Sequence, residues 1–567
     1  MKSHLPLLLA LAAFAIAAPA AELITNGSFE TNQGEGSLPF GWTVVDTGSA
    51  LGVHTTSTTT AAGSWSVRVT GRTFETDGLR QNLTSVLVAG GSGVQRWCRA
   101  RVRVDAFASV RVLLRYTDAG GQQPDLVLAE QMVRTPGQWV VVEGGSAISW
   151  NGTLQNASLR IEVQQLSRIY SGKPASQMPD YYLDDLTLDN DADGDGILDR
   201  DEAAAGFSIA KSDTDGDGLP DRWELDHGFS PSANEAADDA DGDGFTNLQE
   251  YWAATDPRDS GSYPGKPANP NANAATRNLL RWLALLPSQG PSRHVAVGQM
   301  ISDLVSPTEY PALIDGLATA TGKFPAILSM GIEQPTGNPL QIQQAESRAL
   351  AYWQAGGIPM LKWAIYNPWN QGNAGDQTNV DIPGLLNPAA SDPAAQARNQ
   401  FARDRLLGWM TQVGDAFERL QQQGVVVMFR PMSEMNGAWF WWGHREYADY
   451  VGLWNFLYGY FTTTRGLNNL IWVYESAATE HVPSFTGASS SASDYYYPGD
   501  DRVDAMCHNL YDGDWVLPWD ANRIHARYPK IYGIPQAGPD HPNRNGMFDN
   551  LIYINRTEAA LPRSSFK

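Results

Sequence analysis

The sequence predicts a multi-domain chain: an all-β sandwich, an acidic repeat region and a (β/α)8 barrel. Three observations carry this. Short segments between residues 22 and 188 alternate apolar and polar side chains with the period of two that a half-buried strand requires. Between 189 and 256 the pattern D-x-D-G-D-G occurs three times. From residue 278 onward, apolar strand-like runs alternate with amphipathic helical stretches, the signature of a parallel sheet covered by helices. At 567 residues the chain also exceeds what one hydrophobic core can organise.

The elements follow in chain order. Residues 1–21 place "MKSH" before the apolar run "LPLLLALAAFAIAAPA", with small residues at Ala18 and Ala20. This reads as a signal peptide, so the mature protein is expected to be secreted or periplasmic, with no membrane attachment after cleavage. Net charge is 40 − 62 = −22, which argues against nucleic acid as a partner. The two cysteines, Cys98 and Cys507, fall in different predicted domains, so no disulfide framework is expected.

In 22–188, "SWSVRVTG", "RARVRVDA", "VRVLLRYT", "WVVVEGG" and "LRIEVQQL" read as strands separated by Gly, Asn, Asp and Thr. The opening "ELITNGSFETN", the "GW" at Gly41–Trp42 and the closing "YYLDDLTLD" resemble carbohydrate-binding modules of the family 4/9 type. That resemblance implies a jelly-roll sandwich that stacks sugar rings on aromatics, with Trp42, Trp65, Trp97, Trp139 and Trp150 as the pool. Asp184 and Asp185 are a second possibility, as ligands of a structural calcium.

In 189–256, three twelve-residue loops place oxygen ligands at positions 1, 3, 5, 9 and 12 with Gly at 6. They are Asp191, Asp193, Asp195, Asp199 and Glu202; Asp213, Asp215, Asp217, Asp221 and Glu224; and Asp239, Asp241, Asp243, Asn247 and Glu250. Residues 189–250 hold 19 acids and 3 bases, a net −16, which bound calcium would offset. The helices beside the loops are too short for a sensor, so a calcium-stiffened spacer is expected. The string resembles bacterial thrombospondin type 3 repeats. Residues 257–277, rich in Pro, Gly, Asn and Ala, read as a linker.

In 278–567, seven strands are expected at 294–299, 324–331, 358–363, 425–430, 469–474, 503–509 and 530–536. In a (β/α)8 barrel the active site lies at the C-terminal ends of the strands. There the fourth strand runs into "RPMSEMNGAWFWWG". Arg430 can hold a carboxylate or a sugar hydroxyl. Glu434 can serve as a general acid with a raised pKa. Trp439, Trp441 and Trp442, with Phe440, offer apolar platforms for pyranose rings. This stretch closely resembles the acid/base motif of glycoside hydrolase family 26, whose best-known members are endo-β-1,4-mannanases. "YWQAGGIPMLKWAIYNP", "NLIWVY" and "YPGDDRVDAMCHNLYD" extend the resemblance along the block. It implies a polysaccharide substrate, a β-mannan or related β-glycan, and puts Tyr511 at the family's active-site tyrosine. Trp363, Asn509 and Trp519 complete the candidate substrate-binding set. A monomer is expected.

Four positions depart from the family. Gln536 stands where the family has its nucleophilic Glu, Ser433 where it has His, Ala364 in place of His and Asn509 in place of Asp. A carboxamide cannot form a glycosyl ester at a useful rate, and a retaining mechanism needs two carboxylates. Three readings stay open at Gln536. The protein is a divergent hydrolase with another base, Glu475 being nearest in sequence and inversion possible; or it binds polysaccharide without turnover; or the codon is engineered or miscalled. After the seventh strand, "MFDNLIYINRTEAALPRSSFK" is too short for a full helix and strand, so a truncated eighth strand is expected.

Overall fold

A computed structural model describes residues 23–45, 51–74, 76–106, 108–133, 135–165, 178–288, 296–301, 310–333, 339–477, 494–509 and 528–533. The signal peptide, Tyr511, Trp519, Gln536 and the segment expected to hold the eighth strand lie outside them. Among the described residues no helix is long and apolar enough to cross a membrane. The chain divides into two compact units, the first holding the sandwich and the first acidic loop, the second holding the third loop and the barrel.

The sandwich has two antiparallel sheets. One orders β1 (Thr43–Val45), β4 (Gly78–Asn82), β10 (Asn156–Gln165), β6 (Ala108–Asp118) and β7 (Gly121–Gln122), with β8 (Leu126–Val133) also paired to β6. The other orders β2 (Gly52–Thr56), β3 (Ser66–Thr70), β11 (Tyr181–Asn190), β5 (Val94–Val104) and β9 (Trp139–Ile148). Alternation does the folding: Val67, Val69, Val102, Val104, Leu159 and Ile161 point into one shared core, while the residues between them face outward. One short helix, α1 (Thr84–Gly90), was not anticipated by the sequence pattern.

The acidic loops each lead into a short helix: α2 (Asp199–Ala205), α3 (Asp221–Asp226) and α4 (Asn247–Ala253). The first loop continues directly from β11 and is seated on the sandwich. A Cβ added at Gly196 would lie 3.1 Å from the Trp97 ring, and Arg222 donates to the Gly196 carbonyl at 3.0 Å.

The stretch 257–277, expected as a linker, is docked on the barrel. Ala268 and Ala272 are buried, and the fully enclosed Asp504 carboxylate accepts from the Ala268 N–H at 2.6 Å and the Trp472 N–H at 2.7 Å. Asn273 then caps α5 (Ala274–Leu285), accepting from Thr276 N–H at 2.9 Å.

The barrel strands β12 (Gly298–Ile301), β13 (Ile327–Glu333), β14 (Ile358–Ala364), β15 (Val427–Pro431), β16 (Leu470–Ala477), β17 (Ala505–Asn509) and β18 (Ile531–Gly533) are parallel and ordered as in sequence. All seven predicted strands are present. Helices α6 (Gly316–Thr321), α7 (Pro339–Gln354), α8 (Ile382–Leu386), α9 (Pro393–Gln422) and α10 (Tyr447–Tyr458) lie between them. The longest, α9, starts at Asp392, whose side chain accepts from Ala394 and Ala395 N–H, and buries Ala402, Leu406, Met410, Val413, Phe417 and Leu420 at helical spacing.

Strand parity sets the site. Ile358, Met360, Val426, Met428, Ile471, Val473, Ala505 and Cys507 form one core with Leu280, Leu283 and Leu286 at the end of α5. These residues fill the barrel axis from below. Two residues further up the same strands, the period of two brings Lys362, Arg430, Glu475 and Asn509 to the top of that axis. The opposite parity builds the layer beneath the helices, where Phe429 packs against Trp363, Trp472 and Phe461.

Asp504→Ala should destabilise the barrel by about 2–4 kcal/mol, because it leaves two buried amides without an acceptor. Urea unfolding of the full chain measures this. A loss below about 0.5 kcal/mol would mean the docked stretch is not held by that carboxylate.

Candidate active site

The site begins where β15 ends. Beyond Pro431 the chain takes positive φ at Met432 (49°) and Glu434 (57°), a conformation that costs non-glycine residues about 1–3 kcal/mol each. Several contacts hold the turn. Glu434 N–H donates to the Glu475 carbonyl at 2.8 Å, and Gly437 N–H to the Glu434 carbonyl at 3.0 Å. Asn436 exchanges two hydrogen bonds with the backbone of Ala477, at 2.9 and 2.8 Å. Trp442 Nε1 donates to the Ser433 carbonyl at 3.0 Å. The loop is thereby stitched to the top of β16, and the Glu434 side chain is partly exposed at the rim.

Both Glu434 oxygens have a donor. Trp439 Nε1 gives Oε2 a hydrogen bond of 2.7 Å, and Asn509 Nδ2 donates to Oε1. Below them Arg430 Nε lies 2.8 Å from Glu475 Oε2, with both side chains 0% exposed. This is a charge contact: among the described residues neither group completes a well-aligned hydrogen bond there. Burial pushes the Glu475 carboxyl above its ordinary range, while Arg430 and Lys362 pull it down, the charge of Glu434 adds to the rise, and a contact from Asn509 opposes it.

Several expectations need correction. Trp441 and Trp442 are not sugar platforms. Both are fully buried, and Trp441 spends its indole N–H on the Ile365 carbonyl at 2.8 Å. Phe440, stacked on Trp442 at 4.7 Å, and Trp439 are the partly exposed aromatics of the cluster. Trp363 is fully buried too, because its parity turns it outward from the barrel axis toward Phe429 and Phe461. Arg430 holds a carboxylate, as expected, but it is sealed from solvent and offers nothing to a sugar hydroxyl. Glu475, the alternative base, is equally enclosed and cannot activate a water at the rim. Asn509 does meet Glu434. Lys362, Asn436 and the backbone role of Glu475 were not singled out from sequence; the two-residue period running upward from the apolar core is the signal for Lys362, whereas Asn436 lies in the turn beyond β15, where no such period runs.

In the sandwich, Trp42 is a core residue against Phe29, and Trp150 packs against the same core. Trp97 underlies the first acidic loop. Trp65 and Trp139 remain partly exposed, the latter edge-on to Tyr182 at 6.4 Å. The Asp184 oxygens accept from the backbone of Ala61, Ala62 and Asp185, and Asp185 pairs with Arg101 at 3.5 Å. Both cysteines are buried and free.

The donor set of the first loop suits a hard cation. Asp191, Asp193 and Asp195 bring carboxylate oxygens within 4.8 Å of one another, and so do Asp195, Glu202 and Asp221. Oδ2 of Asp193 and Asp195 and both oxygens of Glu202 are buried without a hydrogen-bond partner among the described residues. Asp221, assigned by sequence to the second loop, therefore also reaches the first. Asp199 instead braces its loop, accepting from Ala192 N–H at 2.7 Å. In the third loop Asp239, Asp241 and Asp243 cluster in the same way. Glu250 is buried below that loop with Oε2 unpartnered, and Asn247 donates to the Glu235 carbonyl. The second loop falls on the division between the units, so Asp213, Asp215, Asp217 and Glu224 stand as the sequence assigns them.

Residues 268–531 match the model of glycosyl hydrolase family 26. The barrel segment is thus similar to family 26 glycosyl hydrolases. Residues 21–175 match a carbohydrate binding domain, and 191–206 and 213–228 match the bacterial TSP3 repeat. A mannan endo-1,4-beta-mannosidase of Bacillus subtilis is 29% identical over 317 residues, spanning 53% of this chain and 80% of that enzyme. One from Caldalkalibacillus mannanilyticus, "A and B", is 30% identical over 313 residues, 53% of this chain and 56% of that protein. Among solved structures, a Bacillus subtilis mannanase aligns at 26% identity and a TM-score of 0.43 over 53% of this chain and 86% of its own. Among the described residues the barrel presents the Glu434 carboxylate at its rim, from the strand end at which the sequence motif placed it.

Trp442→Ala should cost about 3–5 kcal/mol of stability in urea unfolding, as expected for a buried aromatic. Unchanged stability with loss of polysaccharide retention would restore the platform reading.

Proposed function

We propose that this is an exported glycoside hydrolase acting on β-1,4-mannan, with Glu434 as its general acid and Gln536 in place of the usual nucleophile. One observation carries the reading: a rim carboxylate held between an indole N–H and an amide at the end of β15. The two donors fix the direction in which the carboxyl faces, as proton transfer to a glycosidic oxygen requires. The named activity of the relatives supports mannan as the substrate. The sandwich, read as a jelly roll, retains the polymer through Trp65 and Trp139. The acidic loops take up calcium and stiffen the join. A second reading, polysaccharide binding without turnover, is favoured by Gln536 alone, since a carboxamide cannot carry a glycosyl intermediate.

Glu434→Ala should abolish the release of reducing ends from mannan, while Gln536→Glu should raise it by about a hundredfold or more. Activity that survives Glu434→Ala would assign the acid elsewhere. Mannan retention without reducing ends in either background would favour the binding protein.

Calcium has a pH signature. Burial, then mutual repulsion, pushes Asp193, Asp195, Glu202 and Glu250 up to about 6, 7, 8 and 8 in the ion-free fold. In the unfolded chain such groups release their protons near about 4. The fold then holds the extra protons, so without calcium stability falls as pH rises from about 4 to about 8. Millimolar calcium should flatten that slope in thermal unfolding. Identical profiles with calcium and with a chelator would remove the ion from the account.

A further inference from the structure

Arg430 is a cation with no access to water, and such a charge is tolerated only beside a partner. Among the described residues Glu434 is not that partner: its oxygens accept from Trp439 and Asn509, and Arg430 makes its ion pair elsewhere. Glu475 is. It contributes twice: its side chain faces Arg430 at 2.8 Å, and its carbonyl takes the Glu434 N–H at 2.8 Å, where Glu434 has a left-handed backbone. Asn509, on the next strand, bears on both carboxylates. Among the described residues the groups around the two acids are Lys362 on β14, Arg430 on β15, Cys507 and Asn509 on β17, Tyr450 on α10 and Trp439 in the loop, Cys507 and Tyr450 being neutral. Counted with them, the two cations and two anions balance.

We propose that Glu475 is a positioning residue for Glu434 and that it is matched to an amide at position 509, so that the two residues act as one coupled pair. The carboxamide donates to Glu434 and, beside Glu475, favours that carboxylate as well. A carboxylate at 509 would only accept, and would add a third negative charge beside two that are already close. Without Glu475, the same carboxylate would become useful, since Arg430 would otherwise be buried with no counter-charge. The effect of an acid at 509 therefore reverses sign with the residue at 475. This rests on Glu434 being the acid of the site, and it is tested so that the two claims fail separately.

The test uses the full chain in four forms: parent, Asn509→Asp, Glu475→Gln and the double variant. Thermal unfolding needs no turnover. Asn509→Asp should lower the barrel midpoint of the parent by about 3 °C or more and raise that of Glu475→Gln. Lowering by the same amount in both backgrounds overturns the coupling. If Asn509→Asp alone yields no folded protein, a folded double variant gives the same answer, and failure of both overturns it. Positioning is read from rates on a manno-oligosaccharide, in the Gln536→Glu background if the parent is slow. Asn509→Asp should cut kcat about tenfold or more with KM nearly unchanged and move the basic limb of the pH profile upward, and adding Glu475→Gln should recover most of the loss. Asn509→Ala, which removes the donor without adding charge, should show no such recovery. A loss in Asn509→Asp that Glu475→Gln does not relieve, or a shift in KM alone, overturns the positioning role. If no form turns over mannan, the acid assignment fails, and the thermal cycle still decides the coupling.

Discussion

A buried cation at the top of the barrel axis needs an anion, and the site is built around meeting that need. Arg430 continues the same strand face as Val426 and Met428, so the apolar core that fills the barrel also carries the guanidinium away from water. Glu475 reaches it because β16 runs beside β15 with the matching parity. Once the two charges are paired, the Glu475 carbonyl is fixed, and with it the left-handed turn that presents Glu434. The rim carboxylate is then left to its two donors. Removing either buried partner would leave a lone charge and cost about 3–5 kcal/mol, more than a marginally stable domain tolerates easily.

The sequence made the elements legible and the facing of their side chains much less so. All seven described barrel strands lie where apolar runs bounded by turn residues put them, because that signal is local. Glu434 was legible for the same reason: a motif at the end of a strand. Trp363, Trp441 and Trp442 were misjudged because an indole reads alike in sequence whether it meets sugar or core. What decides is register and loop handedness. Trp363 is one residue out of phase with Lys362. The loop that buries Trp441 and Trp442 turns on positive φ at Met432, Glu434 and His444, none of them glycine. The docked stretch before α5 was hidden for another reason. Its Pro, Asn and Ala composition gives no hint that Asp504, 236 residues from Ala268, holds its carboxylate ready for that amide.

The acidic loops show the opposite case. Ligand spacing within twelve residues is local chemistry, and the clustered, partly unpartnered carboxylates of the first and third loops follow it. The departure is at Asp221, which also faces Asp195 and Glu202 of the loop before it. Successive repeats can therefore share charge as well as sequence, which suits a region whose acids outnumber its bases 19 to 3.

The most direct measurement is a crystal structure of the Glu434→Gln protein with a bound β-1,4-manno-oligosaccharide. The oligosaccharide should cross the rim with a glycosidic oxygen within hydrogen-bond distance of the residue 434 side chain, Trp439 beside it, and the pair Arg430–Glu475 sealed beneath without touching sugar. An oligosaccharide lying on Trp441 or Trp442, or a direct contact between sugar and Arg430, contradicts that arrangement.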